Sequence, residues 1–155
     1  MITQARDAIR TAILATYSPA EPPTIHIRQL PAGFARPAFY LHPLPMSGRE
    51  AGSGLRDFPM SWQLVYFPAE DAFSNPAADD AYAAMERLED TFGAVKSLTG
   101  PSGEVFHLTN YSADYRDDVV YAGIGLQTMR KRADPADTST LMGVLEMALT
   151  AEKEQ

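Results

Sequence analysis

The sequence predicts an α+β fold, in which a mostly antiparallel sheet of four to five strands has helices packed on one face, in the order α-β-β-β-α-β-β-α. Two observations predict the strands: several segments alternate apolar and polar residues, and two long alternating segments are separated only by a tight turn. A third observation predicts the helices, because amphipathic segments with apolar residues three or four positions apart precede and interrupt the strands. Helices on one face of an antiparallel sheet bury such a pattern well.

The size of the chain fits one hydrophobic core. It has 155 residues, of which 45% are hydrophobic and 21% charged, as in ordinary soluble globular proteins. We therefore predict a single domain over residues 1–155. The chain has no cysteine, which excludes a disulfide framework and chemistry that needs a thiolate. No apolar run has the length of a membrane span, and the N-terminus does not resemble a secretory signal, so we expect a cytoplasmic product.

The first half of the chain predicts one helix and three strands. Residues 2–17 place isoleucines and alanines on one stripe of a helix, and the proline-rich residues 18–23 end it. Residues 24–30, 36–44 and 55–67 alternate as strands do. The prolines of the second and third strands favour edge positions or bulges.

A small, polar and glycine-rich segment separates the second and third strands. Residues 46–55 contain three glycines, which is typical of a flexible loop at the tip of a hairpin. Such a tip is a candidate for contact with a partner protein. Its candidate interaction residues are Met46, Ser47, Gly48, Arg49 and Glu50.

Two further helices are predicted in the second half. Residues 76–92 carry an apolar stripe, and Asp79 and Asp80 suit the positive end of the helix dipole. The last helix spans about residues 138–152, where Asp137 or Thr138 is a suitable N-cap.

Residues 104–132 predict a long hairpin. Every second residue of its second arm is apolar or small enough for one buried face, namely Val120, Ala122, Ile124, Leu126 and Thr128. Asp117 and Asp118 lie at the turn, where aspartate tolerates the left-handed backbone that hairpins need. The edges of such a hairpin must be covered, charged or paired with another chain.

The residue types that carry catalysis or bind metals do not cluster in the sequence. His26, His42 and His107 each lie inside a predicted strand, without the spacing of metal ligands. Glu86 and its acidic neighbours on the second helix are typical of a solvated face. We therefore predict no enzyme activity, no cofactor and no metal.

One short basic run ends the second arm of the hairpin. Arg130, Lys131 and Arg132 are a second set of candidate interaction residues, for DNA or for an acidic partner. Basic runs of this length are more often solubilising strand ends, and the sequence leaves both interpretations open.

Charge is distributed unevenly along an acidic chain of net charge −7. The first 67 residues contain six basic and four acidic residues, whereas the remainder contains seven and sixteen. An acidic surface does not bind nucleic acid by bulk electrostatics, but it suits a wall along which DNA slides without sticking. The simpler interpretation of the same net charge is that it keeps the protein soluble.

Several segments together carry a family resemblance. They are residues 34–40 with Phe34, Pro37 and Phe39, the aromatic strand 62–68, the segment 108–110, and the hairpin turn 115–121 before the basic run. In their order, spacing and aromatic placement, residues 1–132 resemble phage tail terminator proteins of tailed phages and prophages. Members of that family often have Asp-Gly at the turn, where this chain has Asp117 and Asp118.

The resemblance implies a structural function. It implies a virion protein at the head-proximal end of the tail, assembled in the host bacterial cytoplasm. Such proteins form a homohexameric ring that caps the tail tube, ends tube and sheath polymerisation, and provides the joint to the neck and head. The implied partners are other copies of the chain, the tail tube protein, and sheath and neck proteins. The resemblance also implies that DNA passes through the lumen of the ring without specific binding. The alternatives are a head-closure or neck protein and, in another class, a small-molecule-binding α+β domain.

Overall fold

A computed structural model describes residues 1–52 and 54–131, and this part of the chain folds into one sheet of seven strands with two α-helices. The helices are α1 (Ile2–Ala15) and α2 (Ala78–Leu88), and a turn of π-helix, Glu89–Gly93, extends α2. The strands are β1 (Thr24–His26), β2 (Ala38–Pro43), β3 (Arg49–Gly52), β4 (Leu55–Phe67), β5 (Ser97–Thr99), β6 (Val105–Arg116) and β7 (Val119–Lys131).

The strands lie in the order β1-β2-β4-β7-β6-β5, and β3 pairs with β4 off this path. All neighbours are antiparallel except β1 and β2, which are parallel. The predicted α+β class is confirmed, but four to five strands is too few, and the sheet is mixed. The two additional strands, β3 and β5, have only four and three residues. Such short strands contain too few residues to show a period-two alternation in the sequence.

One face of the sheet forms the core with both helices. Its buried side chains include Leu41, Trp62, Leu64 and Phe106, and α1 contributes Ala5, Ile9 and Ile13 while α2 contributes Ala81, Ala84 and Leu88. The predicted buried face of the last strand is confirmed, because Val120, Ala122, Ile124, Leu126 and Thr128 are all at most 5% exposed. Burying each large aliphatic side chain contributes about 1.5–3 kcal/mol relative to leaving it exposed.

The hairpin of β6 and β7 is the longest element. Asp117 and Asp118 form its two-residue turn, with φ of 52° and 60°. Two successive left-handed residues give the turn the twist that matches the paired strands. A bulge in β6 follows Leu108, and there the side chain of Asn110 lies over Gly125 of β7, where any Cβ would collide with it. Glycine is therefore required at position 125, because the side chain of Asn110 lies where a Cβ would be.

Two further predictions need correction or fall outside the described residues. The segment predicted to be a flexible loop, residues 46–55, contains β3, whose Arg49 and Glu50 pair with Asp57 and Arg56 of β4. The loop prediction missed this strand because all four of its residues are exposed and show no alternation. The helix predicted at about 138–152 lies outside the described residues. The single domain over 1–155 remains a prediction.

Candidate interaction surface

The fold brings the two predicted interaction segments to one end of the sheet. Glu50 of β3 lies opposite Arg56 of β4, which in turn lies opposite Arg130 of β7. One step further, Leu55 of β4 lies opposite Lys131. We call this region, defined by Arg49, Arg56, Arg130 and Lys131, the basic end. Arg132 lies outside the described residues.

A buried carboxylate holds the basic end together. Asp57 of β4 accepts a hydrogen bond at Oδ2 from Nε of Arg49 (2.7 Å) and one at Oδ1 from Nε2 of Gln127 (2.8 Å). Its side chain is 4% exposed, whereas that of Arg49 is 71% exposed. The hydrogen bond from Arg49, followed by that from Gln127, lowers the pKa of the Asp57 carboxyl. Asp57 thus joins β3 and β7 to β4 while Arg49 projects toward solvent.

Two other arginines of the basic end have defined neighbours. Arg130 Nη2 lies 3.3 Å from Oε1 of Glu104, just before β6. The guanidinium of Arg56 stacks 5.3 Å from the ring centre of Phe58. Stacking and pairing reduce the conformational freedom of these long side chains, so less entropy is lost when a partner binds them.

Of the other predicted interaction residues, Ser47 is exposed, whereas Met46 and Gly48 are half-buried. Met46 packs partly buried against the core. With Ser47 and Gly48 it lines a pocket of about 150 Å³ beside the start of α1 and Phe58. A Cβ at Gly48 would lie 2.7 Å from the Phe58 ring, so this glycine permits close packing rather than mobility.

Sequence reasoning missed an apolar component of the basic end. Leu55, Val105 and Met129 are 41%, 44% and 60% exposed. His107 of β6 pairs with Gln127 of β7. Extending this antiparallel register places Val105, two residues before His107, opposite Met129, two residues after Gln127, on the same face of the sheet. The period-two pattern could place Met129 on the outer face of its strand, but not beside Val105 or Leu55. Apolar residues among cations are typical of protein interaction sites.

A cleft of about 560 Å³ opens at the opposite end, between the C-terminal end of α1, α2 and the start of β2. Asp80 accepts hydrogen bonds there from the Tyr66 hydroxyl and the Ala69 amide, both at 2.8 Å. Burial, and then the bond to Asp80, raise the pKa of Tyr66. The Arg87 guanidinium stacks 4.8 Å from the Tyr17 ring centre. The hydrogen bond from Tyr66 to Asp80 joins α2 to β4, and the Arg87 contact joins α2 to Tyr17, which follows α1.

A smaller cavity of about 250 Å³ lies where the π-helical turn meets the bulge of β6. Tyr111 lines it, and burial together with the nearby charge of Glu89 raises the pKa of this tyrosine to about 12.

The three histidines lie on three different strands, β1, β2 and β6. Within residues 1–52 and 54–131, no three histidine or acidic side chains are grouped closely enough to hold a metal ion. Neither helix of this part of the chain is long and apolar enough to cross a membrane.

An exposed sheet end that combines arginines with apolar side chains is typical of proteins that act through contacts with other proteins. A family model for phage tail terminator proteins matches residues 4–138, and the chain therefore belongs to the phage tail terminator family. The resemblance in the sequence is thereby confirmed. A comparison with curated proteins finds no match. Membership makes the chain a structural component of a bacteriophage tail that contacts other tail components.

Proposed function

We propose that the chain forms a ring that caps the phage tail tube, ends the polymerisation of tube and sheath, and provides the joint to the neck and head. The observation that carries this proposal is the family match over residues 4–138. Assembly would take place in the host bacterial cytoplasm, and the ring would occupy the head-proximal end of the tail.

The basic end is the surface we assign to the tube. It combines exposed Arg49 and Lys131 with the apolar side chains of Leu55, Val105 and Met129. A partner with carboxylates around an apolar centre would complement it, because opposite charges guide encounter and buried apolar contacts hold the complex. The tail tube protein is the partner proposed here, with sheath and neck proteins as further contacts.

We propose a homohexamer for the ring. A closed ring requires that one surface of each copy meets a different surface of the next copy. The chain is acidic overall, with net charge −7. Like charge between the protein and phosphates would let DNA pass through the lumen without being held.

Polymerisation of the tube protein tests this function. Tube protein from the same phage would be polymerised with and without the chain, and tube lengths and ends would be measured by electron microscopy. We expect shorter tubes with a ring at one end. Tubes of unchanged length without rings would contradict the proposal, and selective binding to a portal or adaptor protein would favour a head-closure role instead.

A matched pair of variants assigns the surface. Lys131→Glu alters the basic end, whereas Arg10→Glu makes the same single charge reversal on the exposed side of α1. We expect the first protein to lose tube termination and the second to keep it. Equal activity of both would remove the basic end from the proposal while leaving the function itself in place.

A further inference from the structure

Part of one sheet edge is unpaired. The neighbouring strand β5 pairs only with residues 105–107 of β6. Beyond the bulge, residues 110–116 of β6 pair with β7 on one side, and no other strand of the described chain lies on their other side. An open edge of this length offers unpaired N–H and C=O groups to another strand.

Side chains at this edge are suited to a protein contact. Tyr82 of α2 is 54% exposed and meets Tyr115 edge-on, with ring centres 5.6 Å apart. Asp118 Oδ1 lies 3.5 Å from the Tyr115 hydroxyl. Asp114 and Asp117 are exposed on the same hairpin, where Asp114 Oδ2 lies 3.8 Å from Nε of Arg116. Exposed tyrosines are common anchors of interfaces, and the carboxylates favour a cationic partner.

The opposite edge of the sheet supplies such a partner. β1 is the last strand on that side, and within the described residues its outer edge is also unpaired. The strand carries His26, and exposed Arg28 follows it. Arg28 is the nearest exposed cation along the chain from this edge.

The two unpaired edges lie at the same position along the strand axis, and their strands run in opposite directions. His26 lies opposite Tyr40, and the paired residues continue across the sheet through Val65 and Tyr121 to Asp114. The antiparallel and parallel pairings make β1 and β6 run in opposite directions. Rotating a copy about an axis parallel to the strands changes neither the position of a residue along that axis nor the direction of its strand. It would therefore bring β6 of one copy antiparallel to β1 of the next, with Asp114 near His26 and Arg28.

From these relationships we infer that neighbouring copies join through the free edge of β6 on one copy and the edge of β1 on the next. This inference rests on the proposed ring and specifies which edges of neighbouring copies touch in it. Joining two different edges gives a heterologous interface. Such an interface produces a closed ring when the rotation between neighbouring copies divides a full turn evenly. Antiparallel pairing satisfies unpaired backbone groups of the three-residue strand β1 and of those residues of β6 that lie opposite it.

Reciprocal charge reversal tests the contact. Asp114→Lys and Arg28→Glu would be made singly and together, and ring mass would be followed by native mass spectrometry across protein concentrations, alone and with tail tubes. Each single variant opposes like charges, so we expect about a tenfold or larger rise in the concentration at which rings form. The double variant restores opposite charges and should form rings again.

Controls separate this contact from general charge effects and from failure of the ring itself. Asp79→Lys and Arg10→Glu change the same charges on the solvent sides of α2 and α1, and should form rings as the original protein does. Circular dichroism would verify that all variants are folded. Rings in both single variants would overturn the inferred contact and leave the ring intact. An original protein that forms no ring, even on tubes, would overturn the proposed function.

Discussion

Arg49 Nε and Asp57 Oδ2 lie 2.7 Å apart, and this pair fastens the short strand β3 to the long strand β4. The carboxylate is buried and the arginine is exposed. Asp57 therefore adds a side-chain bond to the backbone pairing that joins β3 to β4 at the basic end. The Arg49–Asp57 pair should affect both the stability of the fold and the binding of a partner at the basic end, and each effect can be tested.

Asp57 should make stability depend on acid pH. Its pKa is lowered in the folded state, so between its folded value and the unfolded value of about 3.9 the unfolded chain binds more protons. Its contribution is fully present above that window and is lost as the pH falls through it. Denaturant unfolding from pH 6 to pH 2.5 should therefore show a shallower acid slope for Asp57→Asn than for the original protein.

Asp71 provides the comparison for that experiment. Its pKa is also lowered, by the Asn75 amide first and then by the Asn75 side chain and the Phe73 amide. Asp71→Asn should likewise reduce the acid slope, but without loosening β3. Hydrogen exchange at Arg49 and Glu50 should rise only in the Asp57 variant, and equal exchange in both variants would contradict the fastening role.

Replacing Gly125 tests the close approach at the β6 bulge. A methyl group at this position would collide with the side chains of Asn110 and Thr109, so Gly125→Ala should cost about 1–3 kcal/mol of unfolding free energy. Asn110→Ala in the same chain should recover part of that loss. Gly123→Ala is the matched control, because a Cβ there would be near one atom, the Ser112 hydroxyl oxygen at 3.1 Å, and would not collide with Asn110 or Thr109. No recovery in the double variant would argue against the contact.

The hairpin turn should tolerate glycine better than aspartate. Asp118 has φ of 60°, a conformation that glycine adopts without a steric cost. Asp118→Gly should raise the unfolding free energy by about 0.5–1 kcal/mol, as measured by urea denaturation. Asp114→Gly, in the extended part of β6, should lower it. Destabilisation by both changes to a similar extent would mean that the turn is not strained at Asp118.

Charge at the basic end should affect docking more than folding. Lys131→Glu changes an exposed strand-end residue, so its unfolding free energy should stay within about 0.5 kcal/mol of the original. Binding to tail tubes, measured by co-sedimentation at several salt concentrations, should weaken. Lys96→Glu, exposed just before β5, serves as the control. Equal binding by both variants would exclude Lys131 from the tube contact.

Much of the architecture was predictable because its signals are local. The alternation from Val120 to Thr128 predicts which face of β7 is buried, since the side-chain period of a strand is two. The turn at Asp117 and Asp118 also follows from residue type. The apolar stripe of α1 predicts its buried side in the same way, although the helix ends at Ala15 rather than at residue 17.

The sequence by itself determined the α+β class, the two described helices, the long hairpin and the family resemblance. Only the tertiary structure decided that β3 and β7 flank β4, so that two segments about 80 residues apart in sequence form one basic end. The physical reason is that alternation specifies a face of a strand but not its neighbour. Pairing and register depend on packing between distant segments, and the burial of Asp57 exists only after those segments meet.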